Sequence, residues 1–313
     1  MKTPPILYLG LDIAKLTLDT SPLAGLPAGT FSHDHKGHQR LLRNLRRCGS
    51  PVQVICEASG GYEYPLLKTL HQKQIPFTLV NPRQVRDFAR ASGLLAKTDR
   101  IDALVLAHYG RLFQPAPTLM PSASQQRLKA LVNRRQELLH LLTQEQLREE
   151  HHHDPFIRRL GQNLQRTLRK HLERIQQEIV SLEQADPQLQ AKVQRLSSVQ
   201  GIGRCTAWTL LATLPELGTL ARGQAAALAG LAPYNHDSGP FRGQRHIAHG
   251  RPLARTALYM AAWVAARCNP VLQPFYKKLR AAGKPAKVAL VALMRKLVEL
   301  ANHLLKHPNL QIA

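Results

Sequence analysis

Residues 6–13 read Ile6-Leu7-Tyr8-Leu9-Gly10-Leu11-Asp12-Ile13. An aliphatic and aromatic run of this length, interrupted only by Gly10 and Asp12, predicts a buried strand. It is too short and too interrupted to be a signal peptide or a membrane span. An ionised carboxylate within such a strand is unfavourable unless something compensates it, and a metal ion is one such compensation.

Outward from this strand, the alternation of Leu16 to Thr20 predicts a paired second strand, with a third near Thr30-Phe31. A helix over Gly37 to Arg47 leads to an apolar strand at Val52 to Cys56. A helix near Tyr64 to Lys73 and a strand at Phe77 to Val80 follow. Strands giving way to alternating helices are an α/β signature. Asn81-Pro82 and Thr98-Asp99 each have an N-cap residue at a helix start, the second helix running to about Phe113.

Pro115, Pro117 and Pro121 mark a linker. From Ser122 to Glu150 and from Pro155 to Ala185 the chain is rich in Leu, Gln, Glu and Arg. Leu160, Leu164, Leu168, Leu172, Ile175, Ile179 and Leu182 are spaced by threes and fours. This predicts a helical hairpin or coiled coil broken at His153-Asp154-Pro155 and closed by Asp186-Pro187. The remainder reads as short helices around glycine turns, with a basic loop from Leu231 to Arg251. The predicted organisation is an α/β domain over 1–118, a helical arm over 119–187 and a small all-α domain over 188–313.

The 313 residues carry 43 Lys and Arg against 20 Asp and Glu, a formal charge of +23, which points to a polyanionic partner. Residues 194–313 hold 16 basic and 3 acidic side chains, a local charge of +13, so the main phosphate-contacting surface is expected there. Aromatics are only 5% of the chain, which favours backbone contact over base stacking. Cys48, Cys56, Cys205 and Cys268 lack paired spacing; this argues against a zinc ribbon or a disulfide framework and for a reducing cytosol.

Glu57 ends the Val52 to Cys56 strand, where open α/β sheets place ligand sites. Asp99 and Asp102 are three apart and project from one helix face. With Asp12 they make a set of hard oxygen donors suited to Mg²⁺, and a divalent metal site of this kind serves phosphodiester cleavage. The alternative for Asp99 and Asp102 is that of first-turn acids favoured by the helix dipole, and for Glu57 that of a strand-end surface residue.

Gly201-Ile202-Gly203 before a helical stretch is similar to a helix-hairpin-helix turn, whose backbone N–H groups can face a DNA phosphate; an ordinary interhelical turn has the same pattern. In the segment from Asn235 to His246, Ser238 is a candidate nucleophile, although Asp237-Ser238-Gly239 is also an ordinary turn sequence. Arg242, Arg245, Arg251 and Arg255 are candidate phosphate contacts, because guanidinium forks match phosphate oxygens and the region lacks nearby acids to neutralise them.

Four stretches resemble the Piv invertase and insertion-sequence-110 family of transposases. They are Leu9 to Lys15, Cys56 to Glu63, Val80 to Ala89 and Ala96 to Ala103. Gly201-Ile202-Gly203, Leu231-Ala232-Pro233, Asp237-Ser238-Gly239 and Ala257 to Ala261 extend the resemblance over nearly the whole chain. It implies an RNase H-like (RuvC-like) nuclease domain with Asp12, Glu57, Asp99 and Asp102 as its metal ligands, followed by a coiled-coil arm. It also implies a helical domain whose Ser238 completes a composite site and joins covalently to DNA. Double-stranded DNA from element ends and target, a guide RNA encoded by the element and a homo-oligomer, dimer or tetramer, are the implied partners. Before Arg251 the family usually has Trp-Gly-Gly, where this chain has Ala248-His249-Gly250.

Three other readings compete. A junction-resolving nuclease would use the acids with water alone. A non-enzymatic scaffold would need only the charge. A sugar-kinase-like ATPase shares the Asp in a glycine-containing first strand but lacks a later phosphate loop here.

Overall fold

A computed structural model of the chain describes residues 5–23, 27–94, 96, 98–235, 237–239, 243 and 245–310. The chain divides into two compact units, Met1–Met120 and Pro121–Ala313.

The first unit begins with strand β1 (Leu7–Ile13), β2 (Thr17–Thr20) and β3 (Gly29–Ser32). Helix α1 (His35–Arg47), strand β4 (Val52–Glu57), helix α2 (Tyr64–Gln72), strand β5 (Phe77–Val80), α3 (Pro82–Ala91) and α4 (Asp99–Phe113) follow. The sheet order is β3-β2-β1-β4-β5, with β1 to β3 antiparallel and β1, β4 and β5 parallel. The mixed sheet is consistent with an RNase H-like domain.

Two apolar layers cover the sheet. Leu9, Leu11, Ile13, Val52, Val54 and Cys56 pack on one face with leucines of α1 and α2. Ile55 and Val80 pack on the other with Val85 and Ala89 of α3 and Val105 and Leu106 of α4. Helices α3 and α4 start where the sequence supplies a cap: Asn81 accepts from the Arg83 amide and Thr98 from the Ile101 amide. The proline segment after α4 is tied to β5, since the Thr118 amide donates to the Phe77 carbonyl at 2.7 Å.

The second unit is mostly helical. Helices α5 (Ala123–His151) and α6 (Pro155–Ala185) pair along their lengths, the break between them capped by Asp154 accepting from Phe156 and Ile157. Then come α7 (Pro187–Ser197), α8 (Arg204–Thr213), α9 (Gln224–Leu228), strands β6 (Pro233–Tyr234) and β7 (His246–Ile247), α10 (Pro252–Cys268), α11 (Leu272–Ala281) and α12 (Ala286–Lys306). The expectation of an all-α third segment is therefore corrected: the ends of the basic loop pair as a short antiparallel ribbon, Tyr234 opposite His246.

The core of this unit gathers Leu196, Trp208, Leu258, Leu293 and Leu297 from four helices, α7, α8, α10 and α12. Glu183, only 3% exposed, ties α6 to α8 by accepting from Trp208 Nε1 at 2.7 Å and from Arg204 at 3.0 Å. Such a buried carboxylate persists only when its oxygens are satisfied. Of the leucine seam in α6, Leu168 and Ile179 are buried, whereas Leu160 and Leu164 near the hairpin tip remain exposed. No helix among the described residues is long and apolar enough to cross a membrane.

Candidate functional site

The acid cluster is a consequence of strand register. In the parallel pair β1 and β4, Leu11 lies opposite Cys56, so Asp12 and Glu57 are neighbours at the carboxyl ends of adjacent strands. Side chains alternate along a strand. Asp12 therefore shares a face with Gly10 and Tyr8, and Glu57 shares one with Ile55. That is the face covered by α4.

Helix α4 runs against β1 in the opposite direction. Close contacts of Gly110 with Tyr8 and of Gly10 with Ala103 and Ala107 fix this alignment. The first turn of the helix, just before Ala103, carries Asp99 and Asp102 toward the end of β1 that holds Asp12. Glycine at position 10 is a steric requirement, because a Cβ there would stand 1.8 Å from the Ala103 carbonyl oxygen.

Electrostatics record the convergence. The Asp12 carboxyl is raised from 3.8 to about 6, first by burial and then by the charges of Asp99, Glu57 and Asp102; a hydrogen bond from the Ile13 amide at 3.0 Å opposes the rise. Asp12 is thus within electrostatic reach of the other three acids. Among the described residues, no three His, Cys, Asp or Glu side chains are drawn close enough to grip one ion. Like-charged carboxylates repel, and a cation between them would relieve that repulsion.

The loop after Glu57 is held by Glu63. Its carboxylate accepts from the Ser59 amide and hydroxyl and from the Gly61 amide. Burial opposes ionisation of Glu63, but hydrogen bonds from its own backbone, Gly61 and Ser59 outweigh it and hold the carboxyl below its usual range.

Asp19 went unremarked at the level of sequence. It lies directly across from Asp12 on β2, 7% exposed, and accepts from Thr30 Oγ1 at 2.5 Å. The alternation of Leu16 to Thr20 places it on the acid face and was the available signal.

In the second unit, Gly201 and Gly203 have different surroundings. Gly201 has φ 110° and sits against α10, where a Cβ would stand 2.8 Å from Ala265 Cβ, so packing alone accounts for it. Gly203 is exposed at the start of α8 with open space around it, which leaves its backbone accessible to an anion.

Ser238 is exposed in the segment joining β6 and β7. Its neighbour Asp237 closes that segment by accepting from the Gly243 amide at 3.1 Å. Arg242, expected to contact phosphate, lies outside the described residues, as does Lys97 in the stretch before Asp99. Arg245 is exposed.

Arg251 and Arg255 are differently employed. The Arg251 fork is bidentate on Glu216, at 2.6 Å to each oxygen, and also donates to the Thr213 carbonyl. Arg255 donates to the carbonyls of His249 and Gly230. The premise that no acid neutralises these arginines is corrected for Arg251: Glu216 is distant in sequence and adjacent in space. Burial pushes the Glu216 carboxyl up, but the Arg251 hydrogen bonds and charge prevail and hold it below its usual range.

The Ala248-His249-Gly250 departure is also visible. His249 takes a left-handed conformation, φ 59°, where a glycine would be unstrained, and its ring meets Tyr234 edge-on at 5.5 Å.

A family model described as "Transposase" matches residues 9–154, and one described as "Transposase IS116/IS110/IS902 family" matches residues 193–277. The pilin gene-inverting protein of Moraxella bovis is 28% identical over 303 residues, 94% of each chain. Its namesake in Moraxella lacunata has the same identity and coverage.

Proposed function

We infer that the chain, matched by transposase family models over residues 9–154 and 193–277, belongs to the IS116/IS110/IS902 family and is a DNA transposase or recombinase. From that premise we propose that it cuts and rejoins DNA by a metal-dependent exchange in which Ser238 is the nucleophile. The observation that carries the proposal is the strand register that sets Asp12 beside Glu57 at the carboxyl ends of β1 and β4, with the Asp99–Asp102 start of α4 packed over β1; burial first, then the charges of Asp99, Glu57 and Asp102, raise the Asp12 carboxyl accordingly.

The donor set fits a hard divalent cation. Asp12, Glu57, Asp99 and Asp102 would hold it, with Mg²⁺ the natural choice for all-oxygen ligands. When bound, such an ion supplies activation of an attacking oxygen and stabilisation of a leaving one. Asp12 at about 6 would shed its remaining proton on binding. Asp19, held by Thr30, lies across from Asp12 on β2.

Ser238 Oγ would attack a DNA phosphorus, forming an ester as the bond from phosphorus to a deoxyribose oxygen breaks. The serine proton passes to solvent and the leaving oxygen takes one up. Because the phosphodiester becomes a phosphoserine diester, a second strand's hydroxyl can reverse the step and rejoin DNA. The exposure of Ser238 supports access by a large substrate, and Arg245 and the Gly203 end of α8 are suited to backbone phosphates.

The finer organisation follows the resemblance: a RuvC-like nuclease domain over 1–118, a coiled-coil arm over 119–187 and a serine-bearing domain over 188–313 with a helix-hairpin-helix-like turn at Gly201-Ile202-Gly203. The +23 charge is adequate for DNA and an element-encoded guide RNA together. Work as a homo-oligomer fits the exchange of two strands. The inversion named for the Moraxella relatives suggests site-specific recombination as the outcome.

The closure of the serine segment by Asp237 also fits the rival in which Ser238 is a turn residue and the acids act with water. Trapping a covalent protein-DNA adduct on element-end DNA separates the two. The proposal requires an adduct with the intact chain and none with Ser238→Ala; strand exchange undiminished in Ser238→Ala overturns it.

A further inference from the structure

His33 and His38 meet where β3 passes into α1. Asp34 forms the corner, its carboxylate accepting from the Gly37 amide at 2.7 Å and from Ser32 Oγ at 2.9 Å. Gly37 approaches β3 so closely that a Cβ would stand 1.8 Å from the Ser32 carbonyl oxygen. The tight corner folds His38 back onto His33, with ring centroids 5.2 Å apart and planes inclined at 44°.

The nitrogens of this pair are not in balance. His33 Nδ1 lies 2.8 Å from the Ala14 carbonyl oxygen. A carbonyl only accepts, so Nδ1 carries the proton and Nε2 of the neutral ring is left with a lone pair. Nε2 of His33 and Nε2 of His38 are both buried without a hydrogen-bond partner, and His38 as a whole is only 5% exposed. Buried polar atoms are nearly always paired, and an exception calls for an explanation. Burial, then the neighbouring His33, holds the His38 imidazole below its ordinary range and so neutral at physiological pH.

We propose that His33 and His38 form a two-histidine site for a borderline divalent transition ion, Zn²⁺ fitting it best, separate from the acid cluster. Zinc bonds imidazole nitrogen at about 2.0–2.1 Å, and tetrahedral ligation sets two ligating ring centres roughly 5 Å apart, the separation found here. Imidazole selects zinc, nickel and cobalt, whereas the carboxylates of the acid cluster select Mg²⁺. The Nδ1 contact with Ala14 is the outer support that orients a ligating histidine. The two histidines supply two of the ligands, and no third His, Cys, Asp or Glu is gathered there among the described residues. An ion so held ties the start of α1 to the turn after β1, two residues beyond Asp12.

The test is calorimetric titration of the full chain with ZnCl₂ in excess Mg²⁺. The background carries His151→Ala, His152→Ala, His153→Ala, Cys205→Ser and Cys268→Ser to remove exposed competitors. One zinc per chain is expected, bound at least about tenfold more weakly by His33→Gln and by His38→Gln. In ¹⁵N spectra of the parent chain, the Nε2 resonances of both rings should shift together on adding zinc. Should His38→Gln fail to fold, His33→Gln and the spectra still decide. Absence of zinc binding, equal affinity in the variants, or unmoved Nε2 resonances overturns the proposal.

Discussion

Gly10 lies under Ala103 so closely that a Cβ at position 10 would stand 1.8 Å from the Ala103 carbonyl oxygen and 2.5 Å from the Ala107 amide nitrogen. Both obstacles are backbone, so no side-chain rotation can make room. Gly10→Ala must push α4 off β1 and carry Asp99 and Asp102 away from Asp12. We expect a loss of about 1–3 kcal/mol in unfolding free energy together with loss of DNA cleavage. A chain with wild-type stability and cleavage would show that the helix does not set the acid cluster.

Asp12 makes the fold's stability depend on pH. Its folded carboxyl titrates near 6 rather than 3.8, so the folded state holds the proton more tightly than the unfolded state. The contribution is fully present below about pH 4 and lost as pH rises through 6. The full displacement corresponds to about 3 kcal/mol; half-exposure and solvent screening reduce it to roughly 1 kcal/mol. Asp12→Asn should therefore raise the melting temperature at pH 7.5 and leave it unchanged at pH 4, as read by calorimetry. Added Mg²⁺ should stabilise the parent chain at pH 7.5 and not the variant.

Arg251 and Arg245 should respond oppositely to substitution. Arg251→Lys keeps the charge but loses the fork on Glu216, and about 1 kcal/mol of stability is expected to go with it while non-specific DNA affinity changes less than about twofold. Arg245→Ala should leave the melting temperature unchanged, weaken DNA binding across sequences and lower the salt-dependence slope by about 1. Fluorescence anisotropy over a salt series measures both. Weakened DNA binding by Arg251→Lys alone would return Arg251 to the phosphate contacts.

The strands, helices and caps of the first unit were legible because they are local: Asn81 and Thr98 announce helix starts, and the 6–13 run announces β1. The acids could be picked out singly for the same reason. Register was not legible, since nothing in either segment states that Leu11 faces Cys56. The pairing of Arg251 with Glu216 and the stacking of His38 on His33 likewise depend on how distant segments or a tight corner close. The family resemblance marks which residues matter; it does not say which arginine is already taken by a protein acceptor.

The most direct measurement is Mg²⁺-dependent cleavage of element-end DNA by the parent chain, Glu57→Gln, Asp102→Asn and the double variant. If the carboxylates act as one ion-binding unit, each single variant loses at least about a hundredfold in rate and the double variant is little worse than either, because members of one unit are not additive. Cleavage at the parent rate by either single variant, or a double loss equal to the product of the two single losses, would contradict the account.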